Sequence, residues 1–304
     1  MRVSDAMITA NMVHRLQQSS ERLFKVQEQA ASGLRFTRPS EDPTATVRAA
    51  ALRSHLSELG QYRRNADTAD ARLRLTEVAV AEMSDVLAQV RTIALAAIND
   101  TLDQAARAAL AAQVEELSEV IVRAGNYEDG SRYLLAGSKL LTPPLVDNPT
   151  PPPPVLYQGD RAELSLQVGR GISVVSNLDD AVLLNLNGAA DPAGNDVFTD
   201  LENLQSAILA NDHDALGEAV ATMDAHFWRV NSLRGEIGAR LERLDFDRRR
   251  LEEAEHTSLS LLSETEGADL AEVIARLEER QVAYQVAAAA CSLLARAGLL
   301  DYLR

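Results

Sequence analysis

The sequence predicts a mainly α protein: an elongated rod of long helices, paired N- and C-terminal coiled-coil helices, and a small β-rich insert. Three observations carry that expectation. Apolar residues make up 46% of the 304 residues but aromatics only 4%, so alanine, leucine and valine supply the burial, a usage that favours long helices over bulky enzyme cores. Apolar residues spaced alternately by three and four recur at both ends and along the interior. The period changes to two only between about residues 141 and 195.

Taken in order, residues 5–32 read as a helix whose seam is Met12, Leu16, Ser19, Leu23, Val26, Ala30 and Gly33, with Gly33 as its stop. Asp42 before Pro43 is a strong helix start: aspartate caps, and proline has no N–H to leave unpaired. A long helix to about Ile98 follows, then a shorter one to Ala124, with Thr101 and Gln104 as a capping box. Asp129–Gly130 marks a turn before an apolar stretch, 133–136, that has the character of a short strand. Residues 142–154 hold seven prolines and read as an extended linker. Alternation over 162–168 and an apolar run over 172–176 predict two strands. Helix returns at Asp200, pauses at 211–214, and continues with Leu216, Val220, Met223, Phe227, Val230, Ile237, Leu241, Leu244 and Leu251 on one stripe. A helix over 214–262 is roughly 70 Å long at about 1.5 Å per residue. Gly267 interrupts it, and Asp269 caps a last helix with a seam through Leu270, Val273 or Ile274, Leu277, Tyr284, Ala287 or Ala288, Cys291 and Leu294.

Two end helices with apolar seams cannot bury those seams alone. The economical arrangement is nested: residues 1–35 with 268–304 form a terminal coiled-coil domain, 36–140 with 196–267 a long-helix rod, and 141–195 a β-rich insert facing outward. The seam residues Met12, Leu16, Leu23, Val26, Leu270, Ile274, Leu277, Tyr284, Cys291 and Leu294 are the expected assembly interface.

Chemistry-bearing patterns are sparse. A net charge of −15 opposes binding to phosphate backbones, so nucleic acid is not an expected partner. The five histidines lack zinc-ligand spacing, and neither GxGxxG nor a phosphate-loop lysine is present. The 211–214 cluster, Asn-Asp-His-Asp, reads as a solvated turn, and Arg248–Arg250, flanked by carboxylates, as a salt-bridged helix face. Cys291, the only cysteine, lies in an alanine-rich run where it serves as a small hydrophobe. No secretory signal pattern opens the chain, and the longest uncharged run near the end, 281–295, is too short and polar to span a bilayer. The expectation is a non-enzymatic structural protein without catalytic residues, cofactor, metal or membrane insertion.

Several motifs resemble the flagellin family. Ser32 and Gly33 followed by Pro39-Ser40-Glu41-Asp42-Pro43 resemble its "SG…pSDDP" loop, with Glu41 in place of the first usual aspartate. Arg64-Asn65-Ala66-Asp67, Asn99-Asp100-Thr101-Leu102, Gly235-Glu236-Ile237-Gly238-Ala239-Arg240, Asp269-Leu270-Ala271-Glu272 and the closing Leu299-Leu300-Asp301-Tyr302-Leu303 are similar to further family segments. Tyr157-Gln158-Gly159-Asp160 and Asp196-Val197-Phe198 look like the family's hook–filament junction branch rather than filament flagellin. The likeness covers about two thirds of the chain and is weak through 141–195; Cys291 and the proline run depart from it.

The resemblance implies a structural adaptor of the bacterial flagellum that joins hook to filament by self-assembly through its terminal helices. It implies an extracellular location reached by flagellar export without a cleaved signal peptide. Its expected partners are neighbouring copies, a second hook-associated junction protein, flagellin and an export chaperone that holds the C-terminal region. The alternatives are a filament flagellin and, further off, a soluble coiled-coil scaffold.

Overall fold

The structure is a computed structural model that describes residues 2–99, 102–178, 180–186, 190 and 194–302, with side chains except at 2–6, 8, 9, 180 and 294–302. Its helices are α1 (Arg2–Ser32), α2 (Pro43–Ala97), α3 (Gln104–Gly125), α4 (Asp180–Leu183), α5 (Val197–Ala210), α6 (His213–Glu266) and α7 (Leu270–Tyr302). Its strands are β1 (Glu128–Asp129), β2 (Arg132–Tyr133), β3 (Leu145–Asp147), β4 (Val155–Tyr157), β5 (Ser165–Gly169) and β6 (Ile172–Val175). The expected mainly α architecture with a small β insert is therefore observed.

The chain divides into two compact units: residues 1–58 with 253–304, and residues 59–252. In the second unit the central pieces of α2 and α6 run antiparallel. Glu77 meets Arg234 at 2.8 Å, the Ser84 hydroxyl meets Asn231 at 3.0 Å, and Arg91 pairs with Asp224. Between them Leu73, Val80, Met83, Leu87 and Val90 of α2 face Leu216, Met223, Val230, Ile237 and Leu244 of α6, all fully buried. The α6 residues lie on the three-four stripe read from sequence. Arg248, in the basic run, is held by Asp67, Asp70 and Asp245, the salt-bridged face expected there.

Beside this pair lie α3 and α5, which close the same core with Val114, Ile121, Leu201 and Leu204. The insert joins it too: Leu145, Val155, Val168, Val174, Leu178, Leu183, Leu184 and Leu186 belong to the one buried cluster. The strands form three separate antiparallel hairpins, β1–β2, β3–β4 and β5–β6. A two-stranded hairpin is marginal alone, and the shared apolar cluster supplies the missing stabilisation to β3–β4 and β5–β6.

Five local readings are corrected. Helix α3 is capped by Asp103, whose carboxylate accepts from the Ala106 N–H at 2.7 Å, so Gln104 opens the helix rather than closing a capping box; Thr101 lies outside the described residues. In 133–136 only Tyr133 belongs to a strand, while Leu134, Leu135 and Ala136 are a buried plug. The proline segment 142–154 is no plain linker: β3 lies inside it and pairs with β4, Leu145 opposite Tyr157. The alternating strand starts at Ser165, not Ala162, because the Asn177 side chain takes over, accepting from Leu164 N–H at 2.8 Å and donating to Ala162 C=O at 2.9 Å. Helix α5 starts at Val197 under Asp196, which accepts from the N–H groups of Phe198 and Thr199 at 3.0 Å.

One loop junction needs glycine. A Cβ at Gly137, where φ is +68°, would lie 2.1 Å from the Asp160 carbonyl oxygen. The Asp160 carboxylate clamps that turn, accepting from the Ser138 hydroxyl, from Ser138 N–H at 2.7 Å and from Ala162 N–H at 3.1 Å. The Ser138 hydrogen bonds hold its carboxyl below the usual range.

Candidate assembly interface

In the terminal unit, α1 and α7 pair antiparallel. Gly33 and Leu34 at the end of α1 meet Gly267 and Ala268 just before α7, and the Cys291 thiol faces the Met12 carbonyl at 4.0 Å. Every seam position named on α1 from Met12 to Gly33 is half-buried or buried, whereas Val13 and Phe24 beside them are exposed. Three-four spacing thus gives α1 an inner and an outer apolar side.

On α7 the inner side is Val273, Leu277, Arg280, Tyr284, Ala287, Ala288 and Cys291. Of the two phases left open, Val273 faces inward at 5% exposure and Ile274 outward at 52%. Leu270 is outward as well, also at 52%. The named residues Met12, Leu16, Leu23, Val26, Leu277, Tyr284 and Cys291 therefore come together within one chain, while Leu270 and Ile274 face away. The side chain of Leu294 lies outside the described residues. With Val282, Val286 and Leu293, Leu270 and Ile274 give α7 a large apolar population open to solvent, matched on α1 by Met7, Val13 and Phe24. Outward residues of this size have no role in burying the chain's own core.

The loops that join these helices to α2 and α6 are tightly bonded. Arg35 N–H donates to Glu266 C=O at 2.7 Å and Ala268 N–H to Gly33 C=O at 2.9 Å. The Arg35 guanidinium reaches Thr265 C=O at 3.1 Å, Gln29 reaches Arg35 C=O at 2.6 Å, and Arg53 pairs with Glu266. Lys25 meets Glu41 at 2.9 Å and, by that hydrogen bond, holds the Glu41 carboxyl below its ordinary range. Asp42 caps α2, accepting from Ala45 N–H at 2.9 Å, and Asp269 caps α7, accepting from Ala271 N–H at 2.9 Å.

The second unit holds a polar triad of Asp200, His226 and Arg229. His226 and Asp200 are both buried; Nε2 of the ring lies 2.9 Å from the carboxylate and Nδ1 lies 2.9 Å from the Arg229 guanidinium. Burial opposes ionisation of Asp200, but hydrogen bonds from His226 and Asn195 outweigh it and hold its carboxyl below the usual range. The triad stitches α5 to α6, and sequence reasoning missed it because its members are 26 residues apart. Among the described residues, no group of three His, Cys, Asp or Glu side chains is placed to hold a metal, and no helix is long and apolar enough to cross a membrane. On α6, Phe227 meets Trp228 edge to face at 5.8 Å, and Trp228 is 69% exposed.

Comparison with known proteins agrees with this architecture. Residues 3–139 match the bacterial flagellin N-terminal helical region. The chain is 27% identical over 263 residues to flagellar hook-associated protein 3 of Escherichia coli strain K12, covering 81% of each. Its fold is shared with a flagellar hook-associated protein from Vibrio parahaemolyticus (TM-score 0.67, 19% identity, 75% of this chain and 100% of that one). It is shared also with a flagellar junction protein from Legionella pneumophila (TM-score 0.59, 16% identity, 74% and 100%). Those relatives are structural components of flagella, not enzymes. The chain is accordingly similar to flagellin-like structural proteins of the flagellum, among them the hook-associated proteins of the junction.

Proposed function

We propose that this chain is the adaptor between hook and filament, and that it assembles by donating the outer faces of its terminal helices to neighbouring subunits. The observation that carries the reading is the apolar outer side of the α1–α7 pair, where Phe24, Leu270, Ile274, Val282, Val286 and Leu293 stand in solvent. In an acidic, charged chain such residues gain free energy only when another surface covers them, about 25 cal/mol for each Å² of apolar area removed from water. Neighbouring copies supply one such surface. A second hook-associated junction protein and flagellin flank the assembly, and an export chaperone shields the C-terminal helix before export, which needs no cleaved signal.

The test is incorporation. Leu277→Glu, on the inner side, and Val282→Glu, on the outer side, are both expected to leave the thermal transition of residues 59–252 in place and to abolish incorporation into flagella. Normal incorporation of the Val282 variant would sink the outer-face argument. In cells lacking the chain, hooks without filaments and flagellin shed to the medium are the expected phenotype; intact filaments would overturn the adaptor role. A filament flagellin shares the N-terminal helical region matched here, and seeded growth separates the two, since an adaptor adds a limited layer and stops.

A further inference from the structure

Two surfaces of residues 59–252 match each other in chemistry and lie apart on the molecule. The first is a groove between α3, α5 and the β3–β4 hairpin. Its floor is apolar, with Val114, Val155, Phe198 and Leu201 all buried. Its rim is acidic: Glu115, Glu119, Asp147 and Glu202 are exposed, and among the described residues no basic side chain lines it. One turn away Arg123 pairs with Glu119 at 3.6 Å and offsets part of that charge. The groove holds about 230 Å³, below the roughly 300–1,000 Å³ of small-molecule sites. It suits a protruding side chain better than a free ligand.

The second surface is a knob on α6. Phe246 is 59% exposed, and Arg243, Arg249 and Arg250 stand exposed within about a turn of it. Asp247, which meets Arg243 at 4.0 Å and Arg250 at 3.9 Å, is buried beneath them. Asp245 is engaged by Arg248, which leaves Glu242 as the exposed carboxylate of that turn. An exposed aromatic ringed by arginines has the make-up of an interface hot spot. The geometry points to a contact between two copies of this chain, in which the Phe246 knob of one enters the α3–α5 groove of the next and its arginines meet the acidic rim. One molecule cannot make this contact with itself. Helix α5 meets α6 at His226 through Asp200, and Phe246 lies twenty residues farther along that helix, about 30 Å. Two different patches make the contact heterologous, the type that closes into rings or extends into filaments. It uses neither the terminal helices nor the adaptor role, and so is independent of that reading.

Sedimentation velocity on the full chain tests it, in a Val282→Glu background that keeps the outer face of α7 out of the measurement. The chain should self-associate at about 0.05 M salt and come apart at about 0.5 M, where the screening length falls to about 4 Å. Association that ignores salt, or none at all, overturns the proposal. Phe246→Ala should weaken association about tenfold; an unchanged constant removes the knob from the contact. Two double reversals follow: Glu115→Arg with Glu202→Arg in the groove, and Arg249→Glu with Arg250→Glu on the knob. Each alone should weaken association by at least about tenfold, because like charges then face each other. Mixed in equal amounts, the two variants should associate again, since the reversed groove of one accepts the reversed knob of the other. Restoration needs both variants folded and so carries its own control; its failure refutes the pairing. A groove that serves a different basic protein would leave every sample monomeric while the groove variant alone fails to enter flagella, and that outcome overturns the assignment to a second copy.

Discussion

The two units of this chain use the same alphabet to opposite ends. Among the described residues, the terminal unit has five buried apolar residues and ten large ones exposed, whereas residues 59–252 have forty-one buried and eight large ones exposed. Both units carry three-four apolar spacing, so spacing alone does not separate them. What differs is how many faces each helix has covered. The α2–α6 pair is closed on further sides by α3, α5 and the β3–β4 and β5–β6 hairpins, while the described contacts of α1 and α7 beyond the bridge are mainly with each other. A helix with one covered face depends on what covers the others. One unit closes its own core, and the other leaves most of its large apolar residues in solvent.

The strongest way to break that contrast is deletion. Removing residues 1–32 and 270–304 should abolish incorporation while the urea transition of residues 59–252 keeps its midpoint; a collapse of that transition would show the ends to be part of the fold. Next in size, Leu73→Ala should cost about 3 kcal/mol in urea unfolding of the second unit, because Leu73 is fully buried among side chains that cannot close the gap. Asp200→Asn should cost about 2 kcal/mol there by leaving buried His226 without its carboxylate partner.

Asp200 also has a pH signature. Its folded pKa is depressed, so its contribution is present above the ordinary aspartate value of about 4 and is lost as pH falls through the lower folded value. Unfolding titrated from neutral pH downward should weaken below about pH 4, and the Asn variant should lack that share of the loss. Smallest of all, Lys25→Met should return the Glu41 titration, followed by NMR, toward its ordinary value and change stability by at most about 0.5 kcal/mol, since the pair is exposed.

How much of this was legible follows from the range of the interactions involved. Asp42–Pro43, Gly267–Asp269 and the stripes of α1 and α6 were readable because caps and helical periodicity act within a few residues. The phase of α7 was not, since Val273 and Ile274 are adjacent and equally apolar, and only the partner helix decides which one turns inward. Strand β3 was hidden among prolines because its evidence is β4, ten residues on. The late start of β5 depends on Asn177, and the Asp200–His226 pair on two different helices. Of the named interface, the inner residues are placed by periodicity, and the outer ones emerge only when the inner side is known to be occupied.

Trp228 has a practical consequence. It is the only tryptophan in the chain, and it is already 69% exposed when the helix carrying it is folded. Its emission in the isolated chain should therefore sit near that of indole in water and barely move as denaturant is added, so a fluorescence melt would miss the unfolding that circular dichroism records. The same exposure makes it a clean optical reporter of association. A shift of the emission to shorter wavelength on mixing with another flagellar component would register coverage of this face of α6, and an unchanged spectrum during assembly would assign the contact to other faces.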